Sequence, residues 1–295
     1  MGLSALRTLL PTTPLDPATL RGKTVAVDAD NLVWSFVTAI AGTGELPRGP
    51  DGRSNAHLLG LLSRLGVYAK WGLESVWVFD GPQPELKEAT LVARGERIAA
   101  AQEAGDNFQA SVWVGDDDLD ECKALLTALG IPWIEAPCES DAQCAHLVQA
   151  GKAWAAVTQD WDIALFAAPR ALRNLTTSKT RTPELLELAP ALQAAGLTQE
   201  QLIDAAILIG TDYNPGLPGY GPVKAVKAAK QGSGAPERLG IANANVLRRL
   251  YTHHNVDKRF TPKPGEPDVG ALLELLAARG IEAKRGTDLL AARGR

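Results

Sequence analysis

The sequence predicts an α/β fold built on a mainly parallel sheet, and three observations carry this. Short apolar runs alternate with helical patterns over the first 200 residues, as strands joined by crossover helices do. Three of those runs end in aspartate: KTVAVDAD (23–30), ESVWVFDG (74–81) and KAWAAVTQDWD (152–162). From about residue 200 the alternation stops and helical patterns dominate. In open α/β sheets, ligands bind beyond the carboxyl ends of the strands. Parallel strands ending in acids therefore bring those acids to one rim.

The elements follow in order. After the first strand, residues 54–71 read as a helix, and 74–81 is the second strand. Residues 82–121 break the rhythm with a charged helical stretch, a Gly-Asp-Asn turn at 105–107 and the acidic run GDDDLDE, and read as an insertion. A helix is predicted over 119–129, a short strand at GIPWIEAP (130–137) and a helix over 140–150, where Ser140 followed by Gln143 resembles a capping box. In the third acid-ended strand, alternation predicts that Trp161 points away from Asp160 and Asp162. DVGALLELLAARG (268–280) reads as an amphipathic helix returning to the core.

Composition bounds the function. With 295 residues, 45% hydrophobic and 22% charged, the chain supports a sizeable core without disulfides. Its three cysteines show no CxxC spacing, which fits a reducing compartment without structural zinc. No secretory signal and no run of about 18 apolar residues is visible, so a soluble, cytoplasmic protein is expected. The net charge of −4 argues mildly against nucleic acid. Its distribution reverses that: residues 224–260 hold eight Lys or Arg against two acids, Glu237 and Asp257.

The acids at element ends form one set: Asp28, Asp80, Glu139, Asp141, Asp160, Asp162 and Asp212. Crowded carboxylates need a counter-charge. Hard oxygen ligands without His or Cys suit Mg²⁺ or Mn²⁺, and two such ions can activate a water and stabilise a leaving oxygen in phosphodiester cleavage. Any single acid of this kind reads equally as a helix cap or a solvated loop residue. Asp28-Ala-Asp30 alone would also suit a phosphatase of the haloacid-dehalogenase type, a reading that fails on the spread of acids over five elements. Setting the seven acids aside turns the net charge of −4 into +3.

Assembled, these motifs resemble the flap endonucleases of the structure-specific 5′-nuclease superfamily. The resemblance rests on MGLSAL, AVDADNLVWSF, VWVFDGPQPELK, the long stretch from ECKALLTALGIPWIEAPCESDAQC to AVTQDWDIALF, and LTQEQLIDAAILIGTDYNPGLPGYGPVKAVK, in family order. It implies a PIN-like three-layer sandwich over 1–200 with a helical arch inserted at 82–121. A helix–three-turn–helix DNA-binding region over 201–261 and a C-terminal segment at 262–295 follow. It implies two Mg²⁺ or Mn²⁺ ions, the first served by Asp28, Asp80, Glu139 and Asp141 and the second by Asp160, Asp162 and Asp212. Asp141 stands where the family usually has Glu. Asp30 is an additional acid and is not read as a ligand. Lys87 and Arg94 resemble the basic pair at the base of the arch that contacts the scissile phosphate, and Arg97 a further arch cation. Trp34 falls where the family stacks an aromatic on a terminal base, with core packing the alternative. Gly2, Arg64, Gly219, Gly221, Lys224 and Lys227 complete the implied DNA contacts, and the Gly219–Lys224 loop implies a K⁺ site.

Two departures matter. The insertion carries ten acids against three bases, and GDDDLDE would repel a single strand passing close to it; the alternative is that it caps the helix running into ECKALLTALG, with Asp117 or Asp118 near its N-terminus. Ala41 stands where an arginine is expected. No glutamine-led aromatic tail of the sliding-clamp type is visible, so a free-standing monomer of prokaryotic type is expected. The reading is a divalent-metal-dependent 5′ nuclease of DNA replication and repair. It is expected to cut DNA at 5′ flaps and single-strand/double-strand junctions, with 5′-to-3′ exonuclease activity. The alternatives are a PIN-type ribonuclease, disfavoured by GYGPVKAVK, and a non-catalytic junction-binding protein, disfavoured because every metal position keeps a carboxylate.

Overall fold

The computed structural model describes residues 4–83, 85–87, 92, 95–96, 114–175 and 181–294. Its centre is a seven-stranded sheet: β1 (Thr13–Pro14), β2 (Thr24–Asp28), β3 (Glu74–Phe79), β4 (Trp133–Glu135), β5 (Ala155–Val157), β6 (Arg170–Arg173) and β7 (Glu184–Glu187). The spatial order is β1-β7-β6-β5-β2-β3-β4. The five strands from β6 to β4 run parallel, and β7 and β1 pair antiparallel at one edge. The expected mainly parallel sheet is therefore present. The three edge-side strands β1, β6 and β7 were not anticipated. RALR and ELLE are four-residue strands with charged ends and lack the long apolar run that marks a central strand.

The helices are α1 (Ala29–Ala41), α2 (Ala56–Trp71), α3 (Asp116–Ala128), α4 (Ser140–Gln149), α5 (Leu188–Ala195), α6 (Gln199–Ile209), α7 (Pro222–Ala229), α8 (Ala235–Arg238), α9 (Ala244–Thr252), α10 (Val269–Ala278) and α11 (Ala283–Arg293). Strand alternation divides the core into two layers, one on each face of the sheet. Val25 and Val27 of β2 and Trp77 and Phe79 of β3 meet α1, α2, α3 and the C-terminal pair α10 and α11. Ala26, Val76 and Val78 meet α4 and α6 on the other face. The result is a three-layer sandwich. Leu202, Ile207, Leu208, Leu247 and Tyr251 share the second of these layers with sheet residues, so the helical region after residue 200 is continuous with the core.

Local sequence explains the helices that hold the site. In α2, Leu58, Leu61, Leu62, Leu65 and Tyr68 fall on one buried face, and Gly72 ends the helix in the left-handed conformation at φ 64°. A Cβ at Gly60 would lie 2.4 Å from Cβ of Phe36, so glycine there lets α2 approach α1. The acidic run opens α3: Asp116, Asp117 and Asp118 form its first turn, and Cys122, Leu125 and Leu126 are buried along it. Residues 116–121 therefore belong to a core helix rather than to the insertion.

Candidate metal centre and active site

The parallel strands deliver the acids to one rim. Asp28 closes β2 and caps α1, its Oδ1 accepting from Asn31 N at 3.3 Å. Asp80 follows β3 directly. Its neighbour Gly81 has no room for a side chain, since a Cβ would sit 1.9 Å from the Ala136 carbonyl oxygen. Glu139 is the N-cap residue of α4 and Asp141 lies in its first turn. Asp160 sits three residues beyond β5, and Asp162 opens a 3₁₀ turn, Asp162–Ala164. Strand β5 has thus ended before the aspartates. The strand alternation on which the expectation for Trp161 rested therefore does not reach it, and Trp161 is buried in the core. Asp212 follows α6 in the Thr211–Asn214 turn.

The expected capping box at Ser140 and Gln143 does not form. Ser140 Oγ donates to Asp28 Oδ1 at 3.0 Å, and Ser140 N donates to Asp80 Oδ1 at 2.7 Å. The Gln143 side chain instead bonds the main chain of Asp257 in both directions, at 3.2 and 2.7 Å. Ser140 thus ties together the acids of two neighbouring strands. Thr158 Oγ1 completes the grip on Asp28, donating to Oδ2 at 2.9 Å.

Ligand atoms of Asp28, Asp141 and Asp160 all lie within 4.8 Å of one another. This triad draws on both of the groups that the sequence assigned to separate ions. Asp141 Oδ1 and Asp162 Oδ1 are buried without a hydrogen-bond partner. Buried carboxylate oxygens are costly to leave unpaired, so these orphaned atoms fit a bound divalent cation. The electrostatics agree. Burial, then Asp80 and Asp160, hold the Asp28 carboxyl well above its ordinary range. Burial, then Asp28 and Asp160, do the same for Asp141. Asp162 is pushed up to about 8 by burial, then by Asp212 and Asp160. Asp160 is raised by burial and Asp212, with Arg173 and Lys87 opposing. A divalent ion would relieve this repulsion at its source.

Lys87 enters the same site, its Nζ 2.7 Å from Glu139 Oε1. Burial works against its charge, but Glu139, Asp80 and Asp212 outweigh it and hold the ammonium protonated above its ordinary value. The other Glu139 oxygen accepts from the Tyr213 hydroxyl. Arg94, Arg97 and Gly2 lie outside the described residues. Asp30, set aside as a ligand, accepts from Asp80 N through Oδ2 at 2.9 Å and is pushed up to about 7 by burial and Asp80.

The expected DNA contacts are placed as follows. Trp34 is 41% exposed, which sets aside the core-packing alternative. Arg64 lies over the Phe36 ring at 5.2 Å. Gly219 takes φ 78°, a left-handed conformation that glycine adopts without strain. Gly221 is the N-cap residue of α7, with Pro222 at the first helical position. Lys224 and Lys227 are exposed on α7, and Lys224 Nζ stands 4.1 Å from the Tyr220 ring centroid. The acidic run is occupied. Asp118 Oδ2 accepts from Gly115 N at 3.0 Å, and Arg53 lies 3.5, 3.6 and 3.7 Å from Asp117, Asp118 and Glu121. His57 and Arg279 also meet Glu121, at 2.8 and 3.1 Å.

Sequence reasoning missed the residues that hold the acids, Asn31, Ser140 in its true role, Thr158 and Tyr213, and also Arg173, whose charge acts on Asp160. Each is a common polar type, and only the pairing of β2 with β3 and β5, and of β3 with β4, brings the first three to the acids. Arg173 went unseen because its strand did. It ends β6 at the same rim, 4.4 Å from the Trp161 ring centroid, with Nη1 buried and unpartnered.

A parallel sheet that gathers carboxylates at one rim, in a chain with exposed lysines on α7, suits metal-dependent phosphodiester cleavage. Comparison with known proteins agrees. Residues 1–101 match the XPG N-terminal domain and residues 130–212 the XPG I-region. The chain is 36% identical to Flap endonuclease 1 of Methanopyrus kandleri over 310 residues, covering 94% of this chain and 89% of that protein. The solved flap endonuclease-1 from Methanococcus jannaschii superposes with a TM-score of 0.83 at 28% identity, covering 98% and 96% of the two chains. The catalytic core of Rad2 in complex with DNA substrate matches with a TM-score of 0.73 at 25% identity over 95% of each chain. The chain belongs to the flap endonuclease family and is a structure-specific 5′ nuclease acting on DNA. Among the described residues, no helix is long and apolar enough to cross a membrane.

Proposed function

We propose that this flap endonuclease cuts DNA at 5′ flaps and at single-strand/double-strand junctions, with exonuclease activity on 5′ ends, using two Mg²⁺ or Mn²⁺ ions held by the seven acids. The observation that carries this is the Asp28–Asp141–Asp160 cluster, with ligand atoms within 4.8 Å of one another beside the orphaned oxygens of Asp141 and Asp162. When bound, the ions supply an activated water and charge stabilisation at the leaving oxygen. The residues of the chain do the rest. Ser140 and Thr158 fix the Asp28 carboxylate so that it need not reorganise during the reaction. Glu139 holds the Lys87 ammonium inside the acid cluster, where it is placed to meet a phosphate entering the site. The Gly219–Lys227 stretch takes duplex backbone through exposed lysines and a helix N-terminus, while Trp34 offers a face for stacking a terminal base.

The test is cleavage of a labelled double-flap DNA with Mg²⁺ and with EDTA, beside a matched RNA flap. Metal-dependent cutting at the DNA junction with little cleavage of RNA supports the reading. Equal cleavage of RNA favours a PIN-type ribonuclease, and tight binding without cutting favours a junction-binding protein.

A further inference from the structure

We propose that Asp30 and Asn31 are positioning residues: the first turn of α1 braces the two strand ends that flank β2, setting Asp80 on one side and Asp160 on the other. The inference rests on the reading of those acids as metal ligands and deepens it.

The geometry is direct. β2 pairs with β3 on one side and β5 on the other. Asp28 ends β2, and the next turn of chain sends one side chain each way. Asp30 Oδ2 accepts from Asp80 N at 2.9 Å, gripping the main chain where β3 ends. Asn31 Nδ2 donates to Asp160 Oδ2 at 2.6 Å, and its Oδ1 accepts from Gln159 N at 3.0 Å. Asn31 N meanwhile donates to Asp28 Oδ1. One residue thus touches two of the three acids whose ligand atoms cluster.

Chemistry explains the residue types. β5 ends at Val157, so Asp160 lies beyond the ladder and needs another anchor. A short amide can donate to a carboxylate and accept from a main-chain N–H at once. Aspartate at 31 would keep the acceptor, lose the donor and add repulsion against Asp160. At 30 the requirement is only an acceptor for Asp80 N–H. That accounts for an acid which the metal set does not need. Partners that orient metal ligands typically cost about 10- to 100-fold in metal affinity or activity when removed.

The experiment titrates Mn²⁺ into the full metal-free chain by calorimetry, without DNA, and records the Mg²⁺ dependence of flap cleavage alongside. Asn31→Ala and Asn31→Asp should each weaken Mn²⁺ binding by about 10- to 100-fold. High Mg²⁺ should restore much of the cleavage rate. In an Asp160→Ala background, Asn31→Ala should bring no further loss of affinity. Asp30→Asn, which keeps an acceptor oxygen, should retain most of the affinity that Asp30→Ala loses. Wild-type Mn²⁺ affinity in Asn31→Ala, with only the melting temperature lowered, would make Asn31 merely structural and overturn the proposal. An Asp30→Asn variant as impaired as Asp30→Ala would show that Asp30 acts by charge, overturning its arm. Failure of the wild-type chain to bind Mn²⁺, or wild-type binding in Asp160→Ala, would instead remove the metal reading beneath it.

Discussion

Asp162→Asn should make the metal-free protein more stable above neutral pH while weakening its response to metal. Asp162 Oδ1 is buried without a partner, and burial with Asp212 and Asp160 pushes the carboxyl from its usual value near 3.8 up to about 8. The folded chain therefore holds more protons than the unfolded chain between those values. Stability must then fall as pH rises through that window, the contribution being fully present below 3.8 and lost by about 8. At about 1.4 kcal/mol per unit, the cost reaches on the order of 5 kcal/mol at pH 8 as an upper bound, because neighbouring acids share the repulsion. Asparagine copies the shape of the protonated acid and carries no charge. Recovering even about 2 kcal/mol would raise the melting temperature by roughly 4–8 °C. The assay is thermal melting in EDTA at pH 5 and pH 8, then with Mg²⁺ at pH 8. Wild type should lose stability between the two pH values and regain it with Mg²⁺, whereas the variant should lose less and gain less. A variant with the wild-type pH slope, or one less stable than wild type at pH 8, would refute the reasoning.

Asp160→Ala should abolish cleavage in Mg²⁺ and leave junction binding near wild type; retained cleavage would remove Asp160 from the ligand set. Lys87→Ala should slow single-turnover cleavage by roughly 10²-fold or more with a much smaller change in DNA affinity, and a change confined to the dissociation constant would make Lys87 an ordinary backbone contact. Replacing Lys224 and Lys227 together should weaken binding to all duplex sequences alike and flatten the slope of log affinity against log salt by about 1 to 2, so an unchanged slope would place both off the interface. Asp118→Ala should cost about 1 kcal/mol through the lost cap at Gly115 and leave the ratio of long-flap to nick cleavage unchanged. Selective acceleration on long flaps at low salt would instead mean that the acidic run repels the flap.

Asp28, Asp80 and Asp160 were legible in the sequence because each follows an apolar run, and parallel strands buried on both faces read as continuous runs whose ends are visible without knowing which strands pair. What holds them was not legible. Ser140 read as the start of a capping box because its spacing to Gln143 is a local signal. Its hydroxyl instead crosses to Asp28 of a different strand, an interaction over 112 positions that only sheet order creates. Asn31 and Thr158 follow the same rule, bonding Asp160 and Asp28 across 129 and 130 positions. The acidic run was legible in two ways, as a surface that repels a flap and as the cap of the helix that follows. Its composition reads as a repulsive surface, yet its acids begin a helix whose N-terminus favours negative charge, and Arg53, His57 and Arg279 arrive from elsewhere in the chain to meet them. Local sequence therefore located the charges, and tertiary pairing decided which of them are neutralised. At the rim, burial and mutual repulsion leave Asp141 and Asp162 with orphaned oxygens. At the start of α3 the same residue type is capped and paired. That contrast between two clusters of equally acidic sequence is the physical ground for placing the metal at the first and not at the second.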